Sequence, residues 1–280
     1  MTDSYLSPLT ASDGDNIAVQ DWPLEIDAAQ CGTVLIVHGL GEHAGRYTQL
    51  ARDLNSWGYC VRSYDQVGHG DSGGARGGLP HDMRLLDDLA DVVDSTRRQM
   101  ATQEPLIILG HSMGGLVAAQ FVLHKLRRVE GLILSSPALD AGLNPLQKLL
   151  VSVLPRIAPD LTVGNGLKQA YLCRDPAVIK AYQSDPLVHN RISARLASWI
   201  ARQGVSCIDG AAQWTTPTLL LYAGADRLVN PAGSRAFAKA APVKFVQTHC
   251  FEAMYHEILN DPERGQVLAA MQKWLTDLRS

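Results

Sequence analysis

The side chain best placed for chemistry is the serine of the segment Gly110 to Gly114 (GHSMG), which has the pattern G-x-S-x-G. The apolar run before it, Leu106 to Leu109, is typical of a buried strand, and Leu116 to Leu123 has the length and periodicity of a packed helix. A serine at such a sharp turn is strained, and its hydroxyl is exposed beside the free N–H groups of the helix. Two flanking glycines let the strand and helix approach closely. Ser112 is therefore the predicted nucleophile for transfer of an acyl group.

A serine alcohol needs a base, and a histidine and an aspartate occur later in suitable places. Asp226 follows the predicted strand Pro217 to Tyr222, and His256 lies between the predicted strand Val243 to Thr248 and a last helix over 262–278. Loops at the carboxyl ends of parallel strands converge, so these residues can meet Ser112. We expect His256 to take the serine proton and Asp226 to orient its ring. The alternatives are an aspartate in a solvated turn and a surface histidine.

The segment His38 to His43 (HGLGEH) ends another predicted buried strand, Thr33 to His38. In acyl-transfer enzymes built on a parallel α/β sheet, a backbone N–H from the corresponding loop binds the oxyanion of the tetrahedral intermediate. We predict that the N–H groups of Leu40 and Met113 form this oxyanion hole. His38, and the Asp65 and His69 of a later glycine-rich loop, are predicted to brace loops rather than to carry protons.

The order of the remaining patterns indicates an α/β fold. Predicted strands at 33–38, 59–64, 106–109, 131–135 and 217–222 alternate with helical segments, which implies a mostly parallel sheet wound on both faces. Residues 8–25 alternate polar and apolar side chains, as expected of a hairpin at a sheet edge. The alternation of strands and helices stops between residues 137 and 216. We therefore predict a core of residues 1–137 and 215–280 and a helical cap of residues 138–214.

The first part of the predicted cap is strongly apolar. That composition suits the binding of a lipid, and it equally suits a plain packed core for the cap. The charges of residues 138–214 are mildly basic, with eight Lys and Arg, five Asp and no Glu. Such a balance is compatible with peripheral contact to an anionic membrane surface. The apolar side chains are Leu146, Leu149, Leu150, Val151, Val153, Leu154 and Ile157.

Composition excludes several classes of protein. The 280 residues carry a formal charge of −3 with no long run of one sign, which argues against a nucleic-acid partner. No apolar stretch approaches the ~18 residues of a membrane span, and the N-terminus lacks the features of a secretory signal. The five cysteines are scattered and the nine histidines form no metal-binding pattern. We expect a soluble, cytoplasmic protein without a metal or organic cofactor. The sequence makes no prediction of its oligomeric state.

Six short segments resemble the monoglyceride lipase group of the α/β-hydrolase superfamily, which is close to the lysophospholipases. The resemblance implies an α/β-hydrolase fold, the chain order Ser, Asp, His for the reactive residues, and a small lipid ester as substrate, hydrolysed to fatty acid and glycerol. By position, it also implies that Glu42, Arg46 and Tyr182 lie at the polar, glycerol end of the site. Leu40 departs from the group, which often has a smaller residue there. The segments are HGLGEHAGRY (38–47), DQVGHGDS (65–72), GHSMGG (110–115), SDPL (184–187), GADR (224–227) and YH (255–256).

Three other functions are weighed against a monoacylglycerol lipase. A lysophospholipase differs from it only in the preferred head group. A proline-type aminopeptidase would have to neutralise the ammonium group of its substrate, and a net basic cap without glutamate is poorly equipped for this. A ligand-binding module that keeps the hydrolase shell would turn over its ester only slowly, whereas an enzyme shows steady multiple turnover.

Overall fold

A computed structural model describes residues 4–25 and 28–279. The strands are β1 (Tyr5–Thr10), β2 (Asn16–Trp22), β3 (Gly32–Val37), β4 (Tyr59–Tyr64), β5 (Leu106–His111), β6 (Gly131–Ser135), β7 (Thr162–Gly164), β8 (Arg191–Ser193), β9 (Thr218–Ala223) and β10 (Val246–Phe251). The helices are α1 (Thr48–Ser56), α2 (Arg84–Gln99), α3 (Met113–Leu123), α4 (Pro145–Ile157), α5 (Pro176–Ser184), α6 (Ala194–Gly210), α7 (Pro231–Ala240) and α8 (Arg264–Asp277).

Eight of the strands form one sheet in the order β1-β2-β4-β3-β5-β6-β9-β10. The hairpin β1–β2 is antiparallel and lies at one edge, as the alternating pattern of residues 8–25 predicted. From β4 to β10 every neighbouring pair of strands is parallel. The carboxyl ends of β3, β5, β9 and β10 therefore lie at the same edge of the sheet, where the loops that follow them come together.

Alternate side chains of the central strands enter two separate apolar layers, because successive residues of a strand point to opposite faces. Leu35, Ile108 and Leu134 belong to a large core that also contains buried residues of α2, α3, α6 and α7. Ile36, Leu109 and Ile133, one position away, belong to a second core with residues of α1 and α8. These strands are buried on both faces, which explains why they read as uninterrupted apolar runs in the sequence.

The chain between β6 and β9 leaves the sheet and forms α4, α5, α6 and the small antiparallel ribbon β7–β8. None of the residues of α4 is buried, although the helix is rich in leucine. Helix α6 differs, since its Trp199 and Cys207 lie fully inside the larger core beside α3. The division into a core and a cap with boundaries at 138 and 214 stays a prediction.

Some boundaries differ from those expected. The strand predicted to begin at Val243 begins at Val246, because the N–H groups of Phe245 and Val246 bind the carbonyl of Pro242 in a turn. Val243 itself is exposed. The helix predicted after the loop at His43 begins as a 3₁₀ turn, Ala44–Tyr47, before α1. The ribbon β7–β8 was not expected, since two strands of three residues carry too little apolar pattern to be recognised.

Candidate active site

Ser112 occupies a strained turn between β5 and α3. Its backbone angles are φ 53° and ψ −119°, in a region that residues with a side chain rarely adopt. Two glycines make the turn sterically feasible. A Cβ at Gly110 would lie 2.5 Å from the carbonyl oxygen of Gly114, and a Cβ at Gly114 would lie 2.1 Å from that of Val37. The close approach of strand and helix inferred from G-x-S-x-G is therefore present, and it aims the serine side chain away from the sheet.

The structure brings Ser112, His256 and Asp226 together in one hydrogen-bonded chain. The Ser112 hydroxyl lies 2.8 Å from Nε2 of His256, and Nδ1 of the same ring lies 2.7 Å from Oδ2 of Asp226. The other carboxylate oxygen of Asp226 accepts the N–H groups of Leu228 and Val229, which fixes the orientation of the acid. With Nδ1 protonated, Nε2 is free to accept the serine proton, and this is the arrangement that a general base requires.

Burial and charge act in opposite directions on this pair. Burial lowers the pKa of His256, but the charge of Asp226 and its hydrogen bond outweigh that effect and raise the pKa above its ordinary value of 6.5. Burial raises the pKa of Asp226, and contact with His256 together with the two N–H donors holds it below the usual range. Both shifts favour the ion pair that forms when the histidine takes a proton.

The loop after β3 contacts the serine. A Cβ at Gly39 would lie 3.2 Å from Cβ of Ser112, so the backbone of this loop passes directly beside the nucleophile. Leu40 follows, and Met113 is the first residue of α3, where a helix leaves its N–H groups without partners. Leu40, Met113 and Ser112 all line the same cavity. The predicted oxyanion donors are thus next to the serine; their role in binding an oxyanion stays a prediction.

The histidines of the neighbouring loops brace the structure, as expected. His38 is fully buried; its Nε2 accepts the N–H of Gln66 at 2.9 Å, and its Nδ1 contacts the Gly39 carbonyl at 2.7 Å. Asp65 accepts the N–H groups of Ala44 and Asp71 at 2.7 and 2.8 Å. His69 is also buried, with Nδ1 3.0 Å from the Val67 carbonyl.

An apolar cavity of about 290 Å³ opens over Ser112 and His256. Its walls come from α4, the ribbon and α6 together with the loops of the sheet edge. Among the described residues that line it there is no Asp, Glu, Lys or Arg, and the polar side chains besides Ser112 and His256 are Gln147, Asn165 and Ser193. The apolar lining comprises Leu40, Met113, Ala138, Ala141, Leu143, Leu150, Val151, Leu154, Leu161, Val163, Leu167, Ile192, Ala194, Ala197, Ile200, Leu228 and Val229.

Glu42, Arg46 and Tyr182 come together beside this cavity but are not among its lining residues. The Arg46 guanidinium lies 4.7 Å from the centre of the Tyr182 ring and forms an ion pair with Glu42. Glu42 also accepts the hydroxyl of Tyr47 at 2.7 Å. Burial alone would raise the pKa of Glu42, but Arg46, two histidines and this hydroxyl bring it down to about 2. Their contact with a glycerol group stays a prediction.

Comparison with protein families decides the classification. The family model Hydrolase_4, described as serine aminopeptidase S33, matches residues 28–263. The chain belongs to this hydrolase family. The predicted class of enzyme, a serine hydrolase, is thereby confirmed.

Individual relatives are similar in sequence to this hydrolase over most of its length. It is 33% identical to a monoacylglycerol lipase of Mycolicibacterium smegmatis over 94% of this chain and 93% of the relative. It is 34% identical to phospholipase YtpA of Bacillus subtilis, over 85% of this chain and 92% of that one. An abhydrolase domain-containing protein of Dictyostelium discoideum is 32% identical over 98% of this chain, which spans only 29% of that longer protein.

A solved structure gives the same result for the fold. The hydrolase is similar to the crystal structure of Paleococcus ferrophilus monoacylglycerol lipase, with a TM-score of 0.82 and 32% identity over 99% of this chain and 100% of that one. The parallel order of strands and this likeness confirm the predicted α/β-hydrolase fold. The resemblance to the monoglyceride lipase group is confirmed as well.

One buried acid at the site was missed from the sequence. Glu257 directly follows His256, and its carboxylate binds Arg46, which lies 211 positions earlier in the chain. An acid beside a candidate base was visible in the sequence, but its partner was not, because only the folded sheet edge brings the two loops together.

The raised pKa of His256 predicts the pH dependence of activity. The ring accepts the serine proton only when neutral, so kcat/KM should fall as the pH drops through a pKa that lies above 6.5. Below that pKa, the loss should reach about tenfold per pH unit. Rates with a p-nitrophenyl ester between about pH 4 and 9 check this, with circular dichroism as a control for unfolding. A flat profile down to acidic pH would show that His256 is not the base.

Proposed function

We propose that this hydrolase cleaves monoacylglycerols into fatty acid and glycerol, with Ser112 as nucleophile, His256 as general base and Asp226 as its orienting acid. One observation carries the proposal: the hydrogen-bonded chain Ser112–His256–Asp226 opens into a cavity walled mainly by apolar side chains, with no Asp, Glu, Lys or Arg in that wall in the part of the chain that the structure describes. An apolar chamber of this kind excludes water and suits a hydrocarbon chain, whereas the serine at its base suits an ester carbonyl.

In the proposed mechanism, the Ser112 oxygen attacks the ester carbonyl while its proton passes to Nε2 of His256. The Leu40 and Met113 N–H groups stabilise the oxyanion of the tetrahedral intermediate, an effect worth roughly 3 to 4 kcal/mol per donor in known cases. When the intermediate collapses, the imidazolium gives its proton to the leaving glycerol oxygen, and the acyl group stays on the serine. Water then attacks the acyl-enzyme with His256 again as base, which releases the fatty acid and restores the serine.

The choice of substrate rests on the relatives and on the cavity. Two of the compared proteins, from Mycolicibacterium smegmatis and Paleococcus ferrophilus, are monoacylglycerol lipases. A lysophospholipid is the second candidate, because phospholipase YtpA is 34% identical. Both substrates bring one acyl chain and an alcohol, so they differ only at the head group. In this proposal, Glu42, Arg46 and Tyr182 form the polar wall toward the glycerol end.

Peptide cleavage is a weaker candidate despite the description of the family. An aminopeptidase has to bind the positively charged amino terminus of its substrate, and a buried ammonium group needs a carboxylate or several acceptors. Within residues 4–25 and 28–279, no carboxylate is among the side chains that line the cavity. The apolar walls therefore favour an acyl chain over a peptide.

We further propose that residues 138–214 act as a cap over a core of residues 1–137 and 215–280, and that this cap touches membranes. Leu146, Leu149 and Ile157 of α4 expose 65%, 58% and 76% of their surface. Lys148 and Arg156 lie exposed on the same helix. Apolar side chains beside cations suit the interface of an anionic bilayer. Since α4 also walls the cavity, substrate could enter directly from the lipid.

No helix within the described ranges is long and apolar enough to cross a bilayer. Contact through α4 would thus be peripheral. All five cysteines are free thiols. Free thiols suit a reducing compartment, and we propose that the hydrolase acts in the cytoplasm.

The proposed substrate is tested by assaying monoacylglycerol, lysophosphatidylcholine and an aminoacyl anilide side by side. Monoacylglycerol should give the highest kcat/KM, and longer acyl chains should exceed acetyl because each buried CH₂ contributes roughly 0.8 kcal/mol. Ser112→Ala, which removes only the nucleophile, is the control and should abolish every hydrolysis. A higher kcat/KM with lysophosphatidylcholine or the anilide than with monoacylglycerol would contradict the proposed substrate.

The membrane contact is tested by pelleting with vesicles of phosphatidylcholine and phosphatidylglycerol. The wild type should sediment with them, and the double variant Leu146→Ser and Leu149→Ser should lose most of that binding, because burying each leucine contributes about 1.5 to 3 kcal/mol. Val243→Ser is the matched control, since Val243 is 92% exposed and lies outside the cap. Equal binding by the wild type and the double variant would exclude α4 as the contact.

A further inference from the structure

The guanidinium of Arg46 connects two loops of the active site. On one side it pairs with Glu42 in the loop after β3. On the other, its Nη1 and Nη2 donate to the two carboxylate oxygens of Glu257 at 2.8 and 2.9 Å, a two-pronged contact. Because an arginine fork and a carboxylate match in geometry, such a contact fixes orientation as well as distance.

Each carboxylate is in turn attached to a reactive part of the site. Oε1 of Glu42 accepts the N–H of Gly39 at 2.6 Å, immediately before the Leu40 N–H that is proposed to bind the oxyanion. Glu257 follows His256 directly, and its own N–H donates to the Leu172 carbonyl at 2.7 Å. Its Oε2 also accepts the side-chain amide of Asn260 at 2.9 Å. A continuous chain of bonds therefore runs from the oxyanion loop through Arg46 to the backbone of the base.

Glu42 and Glu257 are buried, and the side chain of Arg46 is largely so. Arg46 exposes 11% of its side chain, Glu42 5% and Glu257 4%. Burying charges is costly, and removing one partner leaves the others without compensation. Glu257 is not among the described residues that line the cavity, and its carboxylate is occupied by Arg46 and Asn260. Two carboxylates and one guanidinium leave one negative charge in excess next to the base.

We propose that Glu257 is a positioning residue, which holds the His256 loop in register with the oxyanion loop through Arg46 and places a negative charge beside the base. The proposal rests on the proposed function only in taking His256 as that base. Sub-ångström errors between nucleophile, base and oxyanion donors lower the rate steeply, so a rigid connection between the two loops has a direct catalytic value.

The charges around His256 give the connection a second, electrostatic effect. The ring faces Asp226 through Nδ1 and packs against the ring of His111, with centroids 4.8 Å apart. Asp226 raises the pKa of His256 most, and Glu257 and Glu42 raise it further. Burial and the charge of His256 lower the pKa of His111 to about 4, so His111 stays neutral near pH 7. Removing the charge of Glu257 should therefore lower the pKa of His256.

The test is Glu257→Gln, which keeps the shape of the side chain and removes its charge. With a p-nitrophenyl ester, we expect kcat to fall by about 10- to 100-fold with little change in KM. The acid limb of the pH profile should move to lower pH. Arg46→Lys keeps the positive charge but loses the fork, and it should lower kcat without moving that limb. In the double variant the losses should be less than additive, because both act on one connection.

Glu263→Gln is the matched control. Glu263 pairs with Arg174 at 2.6 Å on the surface, six positions from Glu257, and its loss should leave kcat and the pH profile unchanged. Thermal unfolding reports whether each variant folds. Should Glu257→Gln fail to fold, Arg46→Lys supplies the kinetic test, and wild-type kcat in Arg46→Lys would overturn the proposal.

A wild-type pH profile in a folded Glu257→Gln variant, or fully additive losses in the double variant, would also contradict the proposed role. The p-nitrophenyl ester keeps this test separate from the choice of physiological substrate. An enzyme that cleaves this ester but no monoacylglycerol would refute the proposed substrate and leave the role of Glu257 fully testable.

Discussion

The hydrogen bond between Ser112 and Nε2 of His256 joins residues that lie 144 positions apart. The parallel sheet makes this contact possible here, because it brings the carboxyl ends of β3, β5, β9 and β10 to one edge. The strained backbone of Ser112 depends on the same packing. Its turn is held by the close contact of β5 with α3 at Gly110 and Gly114. The packing of the buried sheet against α3 therefore fixes the position of the Ser112 hydroxyl, on which the chemistry depends.

The charged groups of the site are kept apart from the cavity that would hold the acyl chain. At the sheet edge His256 is paired with Asp226, and Arg46 with Glu42 and Glu257, whereas the cavity above the serine is lined mainly by apolar side chains. This separation lets an apolar chain enter without disturbing the hydrogen bond of Asp226 with His256 or the ion pairs of Arg46 with its two carboxylates. In a site that excludes water, such fixed charges act strongly on a developing oxyanion or imidazolium, and they need no reorganisation during the reaction.

The sequence predicted the parts of the molecule that depend on local pattern. Buried parallel strands read as apolar runs, and G-x-S-x-G marks its own turn, so the fold, the serine and the edge hairpin followed from short segments. Asp226 and His256 could be placed because each follows a strand. Longer-range features were out of reach. The contact of Arg46 with Glu257 depends on how two loops that are distant in sequence pack against each other. The start of β10 at Val246 depends on a turn closed by the Pro242 carbonyl.

The central claim is that Ser112 carries the acyl group during turnover. Labelling with a fluorophosphonate probe, followed by mass spectrometry of the digested protein, tests it directly. The account predicts one adduct per chain, on the peptide that contains Ser112, and no labelling on the same time scale in His256→Ala, which lacks the base. An adduct on another residue, or equal labelling of the wild type and Ser112→Ala, would contradict it.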